Sequence, residues 1–303
     1  MPSSPHPPRG SLAQVGDFGR MVKISHTIFG LPFTVVALLL ASERRVAGGG
    51  APVNAAEVAW IVLAFTAART AAMGFNRIVD RDIDGENPRT ADREIPSGKI
   101  SLTTAWIMTL LAALTFVAAA AMLGPWPLRL AGPCLLLVFG YSLFKRFSAA
   151  AHLVVGLALS LGPGGAWLAI TGSFDDAATP LALMLAVGTW VAGFDVLYSL
   201  QDEAFDRARG LHSIPAALGT KGAVIVSGLL HLVTIAALVA VHDAAQLGPA
   251  HVLGAAVVTG LLVYEHWLVG PGRLEKLDRA FFSVNGWISL GYLACVIVDR
   301  WAA

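Results

Sequence analysis

An all-α bundle that crosses a membrane many times is predicted by three observations. Of 303 residues, 56% are hydrophobic and 14% charged, against roughly a quarter charged in an average soluble protein. That leaves too few charges to cover a soluble globule. Mean hydropathy is +0.68. Nine apolar runs, at about 24–41, 56–79, 102–123, 127–143, 151–170, 179–200, 222–241, 250–269 and 280–299, each approach the ~20 residues that carry a helix across ~30 Å of hydrocarbon. The ~10-residue alternating segments of an outer-membrane barrel do not occur. A formal net charge of +1 provides no basic domain for nucleic acid. Cys134 and Cys295 both lie inside apolar runs and read as small buried hydrophobes, silent about redox compartment.

Taken in order, residues 1–20 are rich in Pro and Ser and contain no apolar signal core. They predict a disordered cytoplasmic tail with no cleavable signal peptide, followed by a single nine-helix domain over 21–303. The connections decide orientation. Arg9, Arg20 and Lys23, the five basic residues Arg77, Arg81, Arg89, Arg93 and Lys99, then Lys145, Arg146, Arg207, Arg209, Lys221, Arg273, Lys276 and Arg279 all fall on one side. Only Arg44, Arg45, Arg129 and Arg300 fall on the other, and Arg69 lies within the second run. The positive-inside rule therefore predicts a cytoplasmic N-terminus and an external C-terminus in a multi-pass inner-membrane protein. The stretch Gly162-Pro163-Gly164-Gly165 interrupts the fifth run, either widening a central cavity or marking a packing kink.

Two connections on the basic side carry unusual acids. The first is Asn76-Arg77-Ile78-Val79-Asp80-Arg81-Asp82-Ile83-Asp84-Gly85, and the second holds Asp195, Tyr198, Asp202 and Asp206. At 100° per residue, Asn76, Asp80 and Asp84 form one helical stripe, and Asp195, Asp202 and Asp206 form another. Asp82 points the opposite way, toward solvent. Asp195 is the deepest acid, where an ionised carboxylate is costly without cationic compensation. Two carboxylate stripes on separate helices suggest a shared hard cation, Mg²⁺, which is held by a few carboxylates together with substrate phosphates. Both clusters run on through Ile-Pro toward a Gly and a new helix, at Ile95-Pro96-Ser97-Gly98 and Ile214-Pro215 to Gly219, a weak internal duplication.

These residues resemble the UbiA superfamily of intramembrane aromatic prenyltransferases. Its first motif, N-D-x-x-D-x-x-x-D followed by R-T-x-x-R-P-L-x-x-G, is matched by Asn76, Asp80, Asp84, Arg89, Thr90, Arg93 and Gly98. Its second, D-x-x-Y-x-x-x-D-x-x-x-D, is matched by Asp195, Tyr198, Asp202 and Asp206. Arg77 stands where the family has Asp, and Glu94 where it has Pro. The segment from Lys23 through His26 to Phe33, with Gly210-Leu-His212-Ser213, is similar to the 4-hydroxybenzoate polyprenyltransferase-like branch, some of whose members resemble enzymes that prenylate a naphthoate in the futalosine route to menaquinone.

The resemblance implies Mg²⁺-dependent transfer of a polyprenyl group from polyprenyl diphosphate to an aromatic acid, 4-hydroxybenzoate or a dihydroxynaphthoate, in ubiquinone or menaquinone biosynthesis. Asp80, Asp84, Asp195, Asp202 and Asp206 are the candidate catalytic residues. Asn76, Asp80, Asp84, Asp202 and Asp206 are the candidate metal ligands. Arg89, Arg93, Lys145 and Arg146 lie on the side required to take diphosphate charge. Tyr141 and Tyr198 are placed to face the developing cation, and Lys23 and His26 to meet the acceptor's carboxylate. His152 and His212 read as interfacial polar residues, and His231, Glu265, His266 and Asn285 as contacts within the bundle. No protein or nucleic-acid partner is implied. Two other classes, a polytopic transporter and a CDP-alcohol phosphotransferase, fit the sequence less well. A transporter places its acids near the bilayer midplane at broken helices, whereas these lie at one interface. A CDP-alcohol phosphotransferase needs a compact D-G-x-x-A-R motif, but Gly85 is followed by Glu-Asn-Pro-Arg.

Overall fold

The computed structural model describes residues 11–22, 27, 29–269 and 277–302. Among them every regular element is helical: α1 (Ser11–Met21), α2 (Leu31–Ala47), α3 (Ala55–Val79), α4 (Arg81–Glu86), α5 (Leu102–Leu123), α6 (Pro125–Phe144), α7 (Ala151–Thr171), α8 (Ala178–Tyr198), α9 (Glu203–Arg209), α10 (Ile214–Ala245), α11 (Pro249–Leu268) and α12 (Leu277–Trp301). A 3₁₀ turn, Ser199–Asp202, joins α8 to α9. Local chemistry sets the starts. Asn54 caps α3 in a capping box with Glu57, Ser101 and Ser213 cap α5 and α10, and prolines open α2, α6 and α11.

The fold class is as the sequence predicts, and the count of nine spans is not confirmed. Seven helices among the described residues are long and apolar enough to cross a bilayer: α3, α5, α6, α7, α8 with its extension to Arg209, α10 and α11. The remaining long helices are α2, of 17 residues, and α12, of 25. Both still pack into the bundle, α2 on α7 and α12, and α12 on α11. The expected disordered tail is corrected only over residues 11–20, since residues 1–10 lie outside the described residues. Residues 11–21 form a helix, and Phe18, Met21 and Val22, spaced at three and four residues, pack on Ile78, Ile100 and Ala105. Gln14 holds it to the start of α5 by accepting from Ser101 N at 3.1 Å and Thr104 Oγ1 at 2.8 Å.

α8 lies innermost, with Leu183, Ala186, Val187, Trp190, Val191 and Leu197 buried, and packs most extensively on α10 and α7. Its contact with α7 is made backbone to backbone. A Cβ on Gly156 would overlap the Gly188 carbonyl oxygen, so small residues set the approach of the two helices, as in membrane bundles generally. Gly156→Ala should cost about 1–3 kcal/mol through overpacking, read as a lower midpoint of thermal unfolding in detergent. α7 runs unbroken through Pro163. The predicted interruption at Gly162-Pro163-Gly164-Gly165 is therefore a glycine-lined stretch of continuous helix, and all three glycines border or face the central cavity.

Candidate active site

α3 makes only sparse contact with α2 and α7. The space between them, closed by α6 and α8, is a cavity of about 870 Å³. One end is lined by Asn76, Asp80, Asp84, Asp195, Asp202 and Asp206, and the far end by Leu123, Pro127, Phe174 and Pro180. Both acidic motifs and an apolar chamber therefore share one enclosure.

The first motif is not one straight helix. α3 stops at Val79, Asp80 takes φ −91°, ψ 2°, and α4 begins at Arg81. The i→i+4 register survives the break, because Asp84 N donates to Asp80 O at 2.7 Å. Asp80 and Asp84 are both buried, and Asp82 is 76% exposed at its side chain, as the stripe predicts. Asp82→Ala should leave kcat within about twofold of the parent in a prenyl-transfer assay, since exposed side chains away from a site seldom matter.

Burying these carboxylates requires compensation. Asp80 accepts from Asn76 Nδ2 at 2.9 Å and Arg146 at 3.0 Å, and Lys145 Nζ lies 3.2 Å away. Asp84 accepts from Arg93 at 2.6 Å, while its Oδ2, 3.8 Å from Arg77, has no hydrogen-bond partner. Arg77, the departure from the family pattern, is thus a buried cation beside Asp84.

The second motif bends too, since the 3₁₀ turn separates Asp195 on α8 from Asp206 on α9. Asp202 is held by Arg89, whose Nε donates at 2.9 Å, and by Asn87 at 2.9 Å. Burial disfavours the Arg89 charge, but the hydrogen bonds and the charge of Asp202 outweigh it and hold the guanidinium above the ordinary arginine value. Arg89 also lies over the Tyr198 ring at 5.4 Å and donates to its hydroxyl at 3.3 Å, so the Tyr198 face is occupied by this cation. Glu86 and Arg209 pair at 2.6 Å. Together with Asn87–Asp202 and Arg89–Asp202, this contact latches α4 and its loop to α9.

Among the described residues, no Lys or Arg lies within ion-pair distance of Asp195 or Asp206. Asp195 receives His152 Nδ1 at 2.7 Å, and Asp206 faces the Ser213 hydroxyl. Tyr141 lines the cavity from α6, as does Phe194 from α8. Arg146 reaches Asp80 from outside the cavity and also donates to Val79 O at 2.7 Å. Lys23 and His26 lie outside the described residues. Sequence reasoning passed over Asn87, Ser213 and the cavity-lining Arg69. For Arg69 the signal was present, as a lone cation within an apolar run.

Residues 30–288 match the model of the UbiA prenyltransferase family. The chain belongs to that family. As a UbiA family member it is 28% identical over 268 residues to the 4-hydroxybenzoate octaprenyltransferase of Vibrio cholerae, covering 88% of this chain and 90% of that one. It is 31% identical over 259 residues to that of Pseudomonas fluorescens, covering 84% of each. An apo UbiA homologue from Aeropyrum pernix superposes with a TM-score of 0.82 at 33% identity, over 92% of this chain and 99% of the other. A UbiA homologue from Archaeoglobus fulgidus, described as bound to DMAPP and Mg²⁺, has the same fold at TM-score 0.72 and 18% identity, over 95% and 100%. The chain is a prenyltransferase built on the UbiA fold.

The oxygen-only donor set suits a hard cation such as Mg²⁺, and the unpartnered, buried Asp84 Oδ2 is the kind of atom such an ion satisfies. Among the described residues no three His, Cys, Asp or Glu side chains already form a closed metal site.

Proposed function

We propose that this chain transfers a polyprenyl group from polyprenyl diphosphate to a ring carbon of an aromatic acid, 4-hydroxybenzoate or a dihydroxynaphthoate, for ubiquinone or menaquinone synthesis, at the cytoplasmic face of the inner membrane. The observation that carries this reading is the meeting of two cation-paired aspartate motifs at the mouth of one largely apolar cavity. The curated relatives are named for octaprenyl transfer to 4-hydroxybenzoate, which supports the same substrate class.

Asn76, Asp80, Asp84, Asp202 and Asp206 would hold Mg²⁺. Held there, it would supply positive charge to offset that of the departing diphosphate, making it a better leaving group. Arg89, Arg93 and Lys145, each already paired with one of these acids, turn to the diphosphate oxygens when the carboxylates are engaged, and Arg146 backs them. The allylic C–O bond breaks with its electron pair going to diphosphate. The ring carbon then bonds to the allylic carbon and its proton is lost. Asp195 faces the cavity with a neutral imidazole and no paired cation, so its negative charge stabilises the allylic cation and its carboxylate receives that proton. The rings of Tyr141 and Phe194 flank the cation. Lys23, His26 and the cavity-lining Arg69 are the proposed partners of the acceptor carboxylate.

The test is the mass of the product formed by membranes containing this protein with a defined polyprenyl diphosphate and each acceptor in turn. A product heavier than the acceptor by one prenyl group less one hydrogen is expected with one of them. Absence of product with both refutes the reading.

A further inference from the structure

The close α7–α8 contact has a chemical outcome one turn beyond the glycines. His152 is four residues before Gly156 and shares its helix face, and Asp195 is seven residues after Gly188 and shares that residue's face. The backbone approach at Gly156 and Gly188 therefore brings the imidazole and the carboxylate together, at 2.7 Å from Nδ1 to Asp195 Oδ2. His152 is 5% exposed, and its other nitrogen, Nε2, accepts the backbone N–H of Ile214 at 3.3 Å. A backbone N–H can only donate. Nε2 is therefore the bare nitrogen and Nδ1 carries the proton. The ring is a neutral donor, with both nitrogens committed.

Ile214 opens α10 directly after Ser213, whose hydroxyl faces Asp206. The same loop is tied to the Lys145 carbonyl by His212 N–H at 2.7 Å. One imidazole thus joins the deepest acid of α8 to the loop behind Asp206. We propose that His152 is a positioning residue for prenyl transfer. Its Nδ1–H fixes the direction and negative charge of Asp195 toward the cavity, and its Nε2 registers the α9–α10 loop against that acid. The proposal rests on the prenyl-transfer reading and on the role given there to Asp195.

Two substitutions separate the two contacts. His152→Asn places an amide N–H where Nδ1–H was, and His152→Gln places an amide where Nε2 was. With polyprenyl diphosphate and the accepted aromatic acid, His152→Gln and His152→Ala should lower kcat about 10- to 100-fold, the range for lost outer-shell partners, with KM for both substrates within about threefold. His152→Asn should recover most of kcat. In an Asp195→Asn background, His152→Gln should have little further effect, because contacts acting through one group are not additive. The proposal is overturned if His152→Gln keeps full kcat while His152→Asn loses it, if the His152→Gln loss persists undiminished in the Asp195→Asn background, or if kcat falls only in step with the thermal midpoint. ¹⁵N NMR of the full chain in nanodiscs, with His152→Asn identifying the signal, reads the tautomer without turnover. A protonated Nδ1 and a bare Nε2 are expected, and the reverse overturns the contact even if the assigned reaction is itself wrong.

Discussion

Replacing Asp80, Asp84, Asp202 or Asp206 singly by Ala is expected to lower kcat at least ~10³-fold, about 4 kcal/mol of transition-state stabilisation, while the protein still inserts. Only Asp84→Ala should also lower the thermal midpoint, because it leaves the buried Arg77 without its carboxylate. The separation of the two effects follows from the burial of the partners. Asp80 is 2% exposed at its side chain, but Lys145 and Arg146 are 32% and 38% exposed, so both cations can return to water when the acid is removed. The converse change strands a buried carboxylate and should harm folding. EDTA should abolish turnover and Mg²⁺ restore it. The checks are membrane-fraction yield, thermal midpoint and initial rate. Full activity after chelation, or a surviving rate in any of the four variants, contradicts the proposed role of the acids.

The second large effect concerns the order of bond changes. If the allylic C–O bond breaks before the ring attacks, fluorine near the allylic carbon destabilises the cation and should slow turnover on the order of 10²-fold or more, with little change in binding of the diphosphate. The same logic applies to Asp195→Asn. Removing a negative charge that matters mainly when the cation exists should lower kcat more than it raises KM. Acceptors with an open position ortho to a phenolic hydroxyl should react best, since that carbon carries the most electron density. Indifference to fluorination would mean that the ring displaces diphosphate directly.

Much of this site was legible in the linear chain because it depends on periodicity. Helical spacing placed Asn76, Asp80 and Asp84 on one stripe and turned Asp82 away, and hard oxygen donors implied the class of cation. Partner choice was not legible. Glu86 meets Arg209 and Asn87 meets Asp202 across more than a hundred residues, and no local pattern encodes that pairing. Hydropathy also misjudged one end. It overlooked the apolar spacing of Phe18, Met21 and Val22 in a Pro- and Ser-rich context. His152 read as an ordinary interfacial residue because its meaning lies in the α7–α8 contact. The Ile-Pro duplication is visible in the backbone. Gly98 and Gly219 share positive φ, 75° and 69°, α5 starts just after the first, and α10 kinks at the second, where a new run of helix starts.

The glycines of α7 carry a further consequence. A Cβ on Gly162 would crowd Thr34 and Phe65, and one on Gly164 would crowd Met184, whereas one on Gly165 would meet nothing within 4 Å. The width of the apolar chamber beside these glycines is thus defined by atoms that are missing, and at Gly165 the missing atoms can be restored without disturbing a neighbour. A lineage could shorten the lipid tail it tolerates by a change in a single codon, far from the aspartates and without altering the chemistry. On the proposed function, tail length and reaction type would therefore be separately heritable traits of this molecule.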